Sequence, residues 1–298
     1  MTPVGGQHSD RYRGRFAPSP TGPLHAGSLA TALASWLDAR AADGVWLIRI
    51  EDLDAPRVVP GSARQILDTL ARCGLESDEP IVLQSERTDA YRAAFTRLHE
   101  AGLLYGCACS RKDVESAIAA QAASTSIYPG TCARRPPRVK PIRAYRVRVP
   151  ADELSFVDRA AGRIAQNLQR DAGDFILKRA DGLWAYQLAV VVDDAAQRIT
   201  DVVRGADLLD NTPRQIFLQQ ALRLPTPRYL HVPLVLNPTG EKLSKQSGAT
   251  PVDTTNLLAE LNRAALHLGL PAFGPHSIKE FMQLAVKAWR QRSTRQSA

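Results

Sequence analysis

The chain has 298 residues, 44% of them hydrophobic and 23% charged, which fits a globular protein with a buried core and excludes a disordered or fibrous one. No apolar run approaches the roughly 20 residues of a membrane span, and residues 1–10 lack the apolar stretch of a signal peptide, so a cytoplasmic protein with no membrane partner is expected. The net charge of +8 suits a polyphosphate or nucleic-acid partner, although an arginine-rich composition alone reads the same way.

In chain order, residues 1–12 read as a flexible tail and 14–17 as a short strand that runs into the loop Pro18, Ser19, Pro20, Thr21, Gly22, Pro23. Leu29, Leu33, Trp36 and Leu37 then recur at helical spacing, Gly44 ends that helix, and 45–50 is a buried strand. Ser62 is placed to cap a helix carrying Ile66, Leu67 and Leu70, with Cys73 as core within it and Gly74 as its stop. A further helix covers 88–100. Strand, helix, strand, helix implies an α/β fold with a parallel sheet.

Residues 105–150 break this pattern with three cysteines, a Pro-rich segment and an alternating strand at 145–149, and read as an insertion. Strand-like runs resume at 175–178, 188–192 and 199–203. Thr212, Pro213 and Gln215 open a helix with capping-box spacing, and 232–236 reads as a last strand. A closing helix over 278–290 sets Ile278, Phe281, Met282, Ala285 and Trp289 on one face. The organisation expected is a catalytic half over 13–104, an insertion over 105–180, a second half over 181–246 and a helical region over 247–298.

Four features carry chemistry. His25 and Gly27 stand at a strand-to-helix loop, where free N–H groups and the helix dipole suit phosphate; alone, His-x-Gly is equally an ordinary surface turn. Lys242, Leu243, Ser244, Lys245 and Gln246 follow a strand, and two lysines there can hold a triphosphate and offset charge on leaving pyrophosphate. Cys107, Cys109 and Cys132 favour a metal over disulfides in a chain without secretion signals, with Tyr128, His99, Asp113 or water as a fourth ligand. Arg134, Arg135, Arg138, Lys140, Arg143, Arg146 and Arg148 form an acid-free basic strip, either a phosphate-tracking surface or a solvated linker.

Together, the His25 and Lys245 segments resemble the two ATP-binding signatures of class I aminoacyl-tRNA synthetases. The run from Arg15 to His25, the phrase Arg49, Ile50, Glu51, Asp52, Leu53, Asp54, and the stretch from Val202 to Gln215 resemble the glutamyl-tRNA synthetases in particular. The resemblance implies a Rossmann-like catalytic domain with a zinc-containing insertion and a short helical C-terminal region. It implies that Arg15, Ala17, Ser19, Glu51, Tyr186 and Arg204 hold L-glutamate, that His25, Gly27 and Lys245 bind ATP with Mg²⁺, and that His25, Lys242 and Lys245 are catalytic. Charge logic agrees: two carboxylates call for arginine forks, and one ammonium calls for Glu51. Read without the resemblance, Glu51 and Arg49 are a strand-end ion pair.

Tyr128, Pro129, Gly130, Thr131 and Cys132 are similar to a phrase in the glutamyl-queuosine tRNA(Asp) synthetases, truncated paralogues within that family. There a tyrosine completes a zinc site, which would make Cys107, Cys109, Tyr128 and Cys132 the Zn²⁺ ligands here. Gln246, where conventional enzymes carry arginine, and the short 247–298 region point the same way. Asp201 departs from the family, where histidine is more usual. The implied reaction activates glutamate with ATP and passes it to queuosine in the anticodon stem-loop of tRNA(Asp). Two alternatives stay open: a conventional enzyme fragment charging a tRNA 3′ end, and a non-catalytic, zinc-stabilised RNA-binding paralogue.

Overall fold

The structure, a computed structural model, describes residues 11–121, 127–235 and 250–296, with side chains described through Arg292. Strands β1 (Arg13–Phe16), β2 (Val45–Ile50) and β3 (Val82–Leu83) run parallel in that order. A second sheet holds β6 (Glu153–Asp158), β7 (Gly162–Asn167), β9 (Asp201–Gly205) and β10 (Arg228–Val232) in the order β7-β6-β10-β9. In it β9, β10 and β6 are parallel, and β7 closes an antiparallel hairpin. The two sheets adjoin where the Thr200 N–H donates to the Arg13 carbonyl at 2.9 Å and the Arg13 N–H donates to Thr200 Oγ1 at 2.8 Å.

The β2 sequence, Val-Trp-Leu-Ile-Arg-Ile, is a continuous apolar run because both of its faces are covered. Helix α1 (Ala26–Ala41) is alanine-rich and buried around most of its circumference, so β1 can pack on one side and α9 (Leu257–His267) and α10 (Ile278–Gln296) on others. A second core forms around α3 (Thr88–Glu100), α7 (Tyr186–Ala196) and α8 (Thr212–Ala221). A small antiparallel sheet of β4 (Leu104–Cys107), β5 (Ala144–Val147) and β8 (Ile176–Lys178) lies beside α4 (Arg111–Ala119) and the single turn α5 (Thr131–Arg134). Among the described residues no helix is long and apolar enough to cross a membrane.

Several local expectations are corrected. The run 188–192 is not a strand but the middle of α7. Leu188, Ala189, Val190 and Val191 are all buried, and burial on every side erases the period that separates helix from strand. The last strand ends at Val232, because Pro233 has no N–H to continue the ladder. Ser62 does not cap α2 (Ser62–Arg72). Gly61, at φ 78°, takes the cap position, while Ser62 Oγ donates to the Gly22 carbonyl at 2.7 Å and ties the 18–23 loop to the helix. Thr212 makes no capping box on α8, since Asn211 precedes the helix and the threonine hydroxyl is used elsewhere. Cys73 is core, as expected, but it follows the last turn of α2.

Candidate active site

Ligands of parallel sheets gather at the carboxyl ends of the strands, and four of the expected residues converge there. Arg15 comes from β1, Glu51 directly follows β2, Arg204 is on β9, and Tyr186 opens α7. Two side chains that the sequence did not single out lie behind them, Asp194 in direct contact with Arg15 and Asp193 3.9 Å from Arg49. Asp194 accepts Arg15 Nε at 3.0 Å, Arg15 Nη2 at 3.2 Å and Arg49 Nη1 at 2.8 Å. Arg49, fully buried, also donates to Glu51 Oε1 at 3.2 Å, so the strand-end ion pair exists as one link of a larger network. Asp193 accepts Tyr91 Oη and Gln84 Nε2, each at 2.7 Å, and Arg87 Nε at 2.5 Å.

The electrostatics follow from these contacts. Burial pushes the Asp194 carboxyl up, but Arg15 and Arg49 together more than reverse this and hold it below the usual range. Glu51 is different. Burial raises its pKa, and Arg49 and Arg15 offset only part of the rise. Its shift is thus opposite in sign to that of Asp194. Tyr186 is likewise raised by burial and lies in the field of Arg204, Glu51 and Arg15, so these residues share one environment.

Arg204 is gripped on several sides. Its Nε donates to His231 Nε2 at 3.0 Å, Nη1 to Gln215 Oε1 at 2.7 Å and Nη2 to Thr212 Oγ1 at 2.8 Å. Gln215 Nε2 in turn donates to Gln187 Oε1 at 3.0 Å. Ala17 and Ser19 lie in the loop after β1, which is held to the pocket because the Glu51 N–H donates to the Pro18 carbonyl at 3.0 Å. Asp201 stands at the other end of β9 from this pocket, where Arg228 Nη2 and Thr200 Oγ1 each donate to it at 2.8 Å.

His25 caps α1: its Nδ1 accepts the Ser28 N–H at 3.2 Å and its Nε2 lies 3.0 Å from Ser28 Oγ. A Cβ on Gly27 would meet the His25 ring at 3.2 Å, so a larger residue there would have to push the ring aside. Val235 also borders Gly27, and Pro251 bridges to His25 while the Val252 N–H donates to the Leu24 carbonyl at 2.9 Å. Both flanks of the 236–249 stretch therefore meet the start of α1. Lys242 and Lys245 themselves lie outside the described residues.

The sulfur atoms of Cys107, Cys109 and Cys132 lie within 4.8 Å of one another, on β4, the loop after it and α5. Cys109 and Cys132 are 3.5 Å apart, and the Tyr128 hydroxyl is 3.6 Å from Cys107 and 3.7 Å from Cys109. Tetrahedral zinc with bonds of about 2.3 Å to sulfur and about 2.0 Å to oxygen has ligand–ligand edges of roughly 3.5–3.8 Å. The donor set and spacing fit such an ion. Of the other candidates, His99 stacks on Phe95 and Asp113 accepts the Ser110 N–H and hydroxyl at the start of α4, so Tyr128 is the one set against the sulfurs. Burial raises the Cys107 thiol, but Tyr128, the Cys109 N–H and Arg146 bring it below its ordinary value, while burial takes Cys109 up to about 11.

Residues 11–295 match the family described as tRNA synthetases class I (E and Q), catalytic domain. The chain belongs to that family. This class I synthetase-like ligase is 57% identical over 289 residues to the glutamyl-Q tRNA(Asp) synthetase of Burkholderia cenocepacia, covering 94% of this chain and 97% of that protein. It is 59% identical over 267 residues to the protein of the same name from Cupriavidus metallidurans, covering 88% and 86%. Its fold is similar to that of a glutamate tRNA ligase from Elizabethkingia meningosepticum, solved in complex with its amino acid, with a TM-score of 0.74 and 26% identity over 94% of this chain. The synthetase spans 64% of that ligase's chain. The parallel β1-β2-β3 sheet is thus part of a class I catalytic fold.

Proposed function

We propose that the chain activates L-glutamate with ATP, without tRNA, and transfers the glutamyl group to queuosine at the wobble position of tRNA(Asp). The observation that carries the reading is that Arg15, Arg204 and Tyr186 share one environment with Glu51, a carboxylate whose pKa burial raises more than Arg49 and Arg15 lower it. Glutamate would complete this balance. Its ammonium answers Glu51, and its carboxylates answer the two arginines. Asp194 holds Arg15 by Nε and Nη2, so Nη1 is the end that would meet the ligand. The names of the relatives point to the product, glutamyl-Q on tRNA(Asp), and so to queuosine as the acceptor.

In this reading a glutamate carboxylate oxygen attacks the α-phosphorus of ATP in line, and pyrophosphate leaves. A queuosine hydroxyl then attacks the adenylate carbonyl, and AMP leaves. No protein nucleophile takes part, so catalysis rests on position and charge. Ala17 and Ser19 line the amino-acid side. His25 and Gly27 form the nucleotide edge at the start of α1, and Lys242 and Lys245 offset charge on the leaving pyrophosphate. Mg²⁺ accompanies the ATP and neutralises phosphate charge. Zn²⁺ on Cys107, Cys109, Tyr128 and Cys132 has a structural role, fixing β4 against α5.

The basic strip supports an RNA partner. Arg134, Arg135, Arg138, Lys140, Arg143 and Arg148 are exposed, whereas Arg146 turns inward and lies 3.8 Å over the Tyr128 ring. The exposed set would meet phosphates of the anticodon stem. The deciding assay is transfer of labelled glutamate. Native tRNA(Asp) lacking its 3′ terminal adenosine should accept glutamate, and an unmodified transcript with an intact 3′ end should not. The opposite pattern would establish charging of the 3′ end instead.

A further inference from the structure

His231 has none of the roles assigned above, yet it is buried beside the pocket. It lies on β10 directly across from Arg204 on β9. Asp158, at the end of β6, accepts His231 Nδ1–H at 2.6 Å and the His231 backbone N–H at 3.1 Å. The same carboxylate accepts the N–H groups of Ala160 and Ala161 at 2.9 Å, so the hairpin turn locks it in place. With the proton on Nδ1, the lone pair of Nε2 faces Arg204 Nε–H at 3.0 Å and the Thr212 hydroxyl at 3.2 Å. Thr212 Oγ1 also accepts from Arg204 Nη2 at 2.8 Å. Nη2 also donates to the Leu208 carbonyl at 3.4 Å and Nη1 to Gln215, so four of the five guanidinium N–H groups are engaged and one, on Nη1, is left for a ligand.

We propose that His231, oriented by Asp158, is a positioning residue that aims Arg204 at a glutamate carboxylate, and that it works only as the neutral ring protonated on Nδ1. The inference rests on the reading of Arg204 as a glutamate ligand and deepens it. A doubly protonated ring would set one N–H against another and one positive charge against Arg204. The groups that face the ring are Arg204 from β9, Asp158 from β6, Thr212 from α8, Asp207 from the turn after β9, and Tyr229, whose ring stacks 6.1 Å away. Burial lowers the imidazole pKa and Arg204 lowers it further, outweighing Asp158 and Asp207. The neutral ring is therefore the resting form at pH 7.

The test uses ATP–pyrophosphate exchange on the full chain, with Michaelis constants for glutamate and ATP measured separately. His231→Leu should raise the glutamate constant by at least about tenfold, as loss of a hydrogen bond to a charged group implies, and leave the ATP constant within about twofold. His231→Gln keeps an acceptor for Arg204 Nε and should restore the glutamate constant to within about threefold of the parent. Equal rises in both constants, or no rescue by glutamine in a folded protein, would make His231 structural only and overturn the proposal. Nitrogen-15 spectra of the histidine rings need neither variant. Among the six histidines, at least one should be neutral with its proton on Nδ1 at pH 7, and a spectrum without such a ring overturns it. Arg204→Ala separates the two levels. If it leaves the glutamate constant unchanged, the pocket reading fails and takes this inference with it. If it raises that constant while His231→Leu does not, this inference alone fails.

Discussion

The proposed glutamate pocket and the cysteine cluster both bury polar groups, but they satisfy them in opposite ways. In the pocket the chain supplies its own counter-charges: Asp194 between Arg15 and Arg49, and Asp193 against Arg87 and Tyr91. Regular elements carry them, the ends of parallel strands and the two last turns of α7. In the cluster three thiols and a phenol have chiefly one another, held by a strand end, a loop and a single helical turn. Thiols are weak donors and weak acceptors. A buried set of them is poorly satisfied until a cation joins it. The pocket is thus held together by the chain's own ion pairs, and the cluster is one that a metal ion would complete.

That contrast breaks first at Asp194. Asp194→Ala leaves Arg15 and Arg49 buried without their shared counter-ion and should cost about 3–5 kcal/mol, read as a lower midpoint in denaturant unfolding. The folded-state pKa of Asp194 is depressed, so its contribution is fully present above the unfolded value of about 3.9 and is lost as pH falls through the folded one. The variant should accordingly lose part of the acid limb of the parent's stability profile. A cost under about 1 kcal/mol would mean that the arginines find other partners, and the pocket would not be held together as described.

Arg15→Ala should be gentler on the fold, because Asp194 keeps Arg49, and severe for activity. A loss of roughly a hundredfold in kcat/KM for glutamate is expected, together with a narrower preference for glutamate over glutamine. A neutral amide leaves an arginine unpaired, so discrimination should collapse with the charge that creates it. If the variant keeps the parent's margin between the two amino acids, Arg15 does not read the carboxylate. In the cluster, Cys132→Ser should lower metal content from about one ion per chain to near zero by elemental analysis. Amide exchange should then speed up in β4 and α5 while the global unfolding midpoint moves less than in Asp194→Ala. A global loss equal to that of Asp194→Ala would erase the distinction between the two regions.

Much of the architecture was legible because short, chemically constrained phrases mark it. The 45–50 run and the 88–100 helix appear with the expected bounds, since each combines a clear period or apolar run with a glycine or charged boundary. Arg15, Glu51, Tyr186 and Arg204 meet in one environment, which the sequence could suggest only through resemblance, because they are scattered over four elements. The partners that hold them were illegible. Asp193 and Asp194 sit at the end of an apolar run that reads as strand, and in a strand adjacent carboxylates would point to opposite faces. Only as a helix can α7 send Asp193 to Arg87 and Asp194 to Arg15 while its other side packs in the core. Two buried acids in tandem were the available signal, since such groups demand cations. His231 gave no signal at all, since the last strand read from the sequence began one residue after it, at Val232, whereas β10 runs from Arg228 to Val232. Asp201, three residues before Arg204, departs from the family, yet the rise along β9 sets it at the opposite end of the strand from the pocket.

The smallest effect expected is also the sharpest probe of the cluster. Tyr128 has two links there: its hydroxyl accepts the Cys132 N–H at 2.9 Å, and it stands within 3.7 Å of two sulfurs. Tyr128→Phe removes both links while keeping the ring that packs under Arg146. The three thiolates remain, and water can take the vacated corner of a tetrahedral ion, as it does in open zinc sites. Metal should therefore stay near one per chain, with affinity weakened about tenfold, or about 1.4 kcal/mol, in competition against a chromogenic chelator. Emptying of the site to the level of Cys132→Ser would show that the phenol, through the Cys132 backbone, holds the loop itself in place. An affinity equal to the parent's would assign the hydroxyl to the Cys132 N–H alone and leave a three-cysteine site completed by solvent.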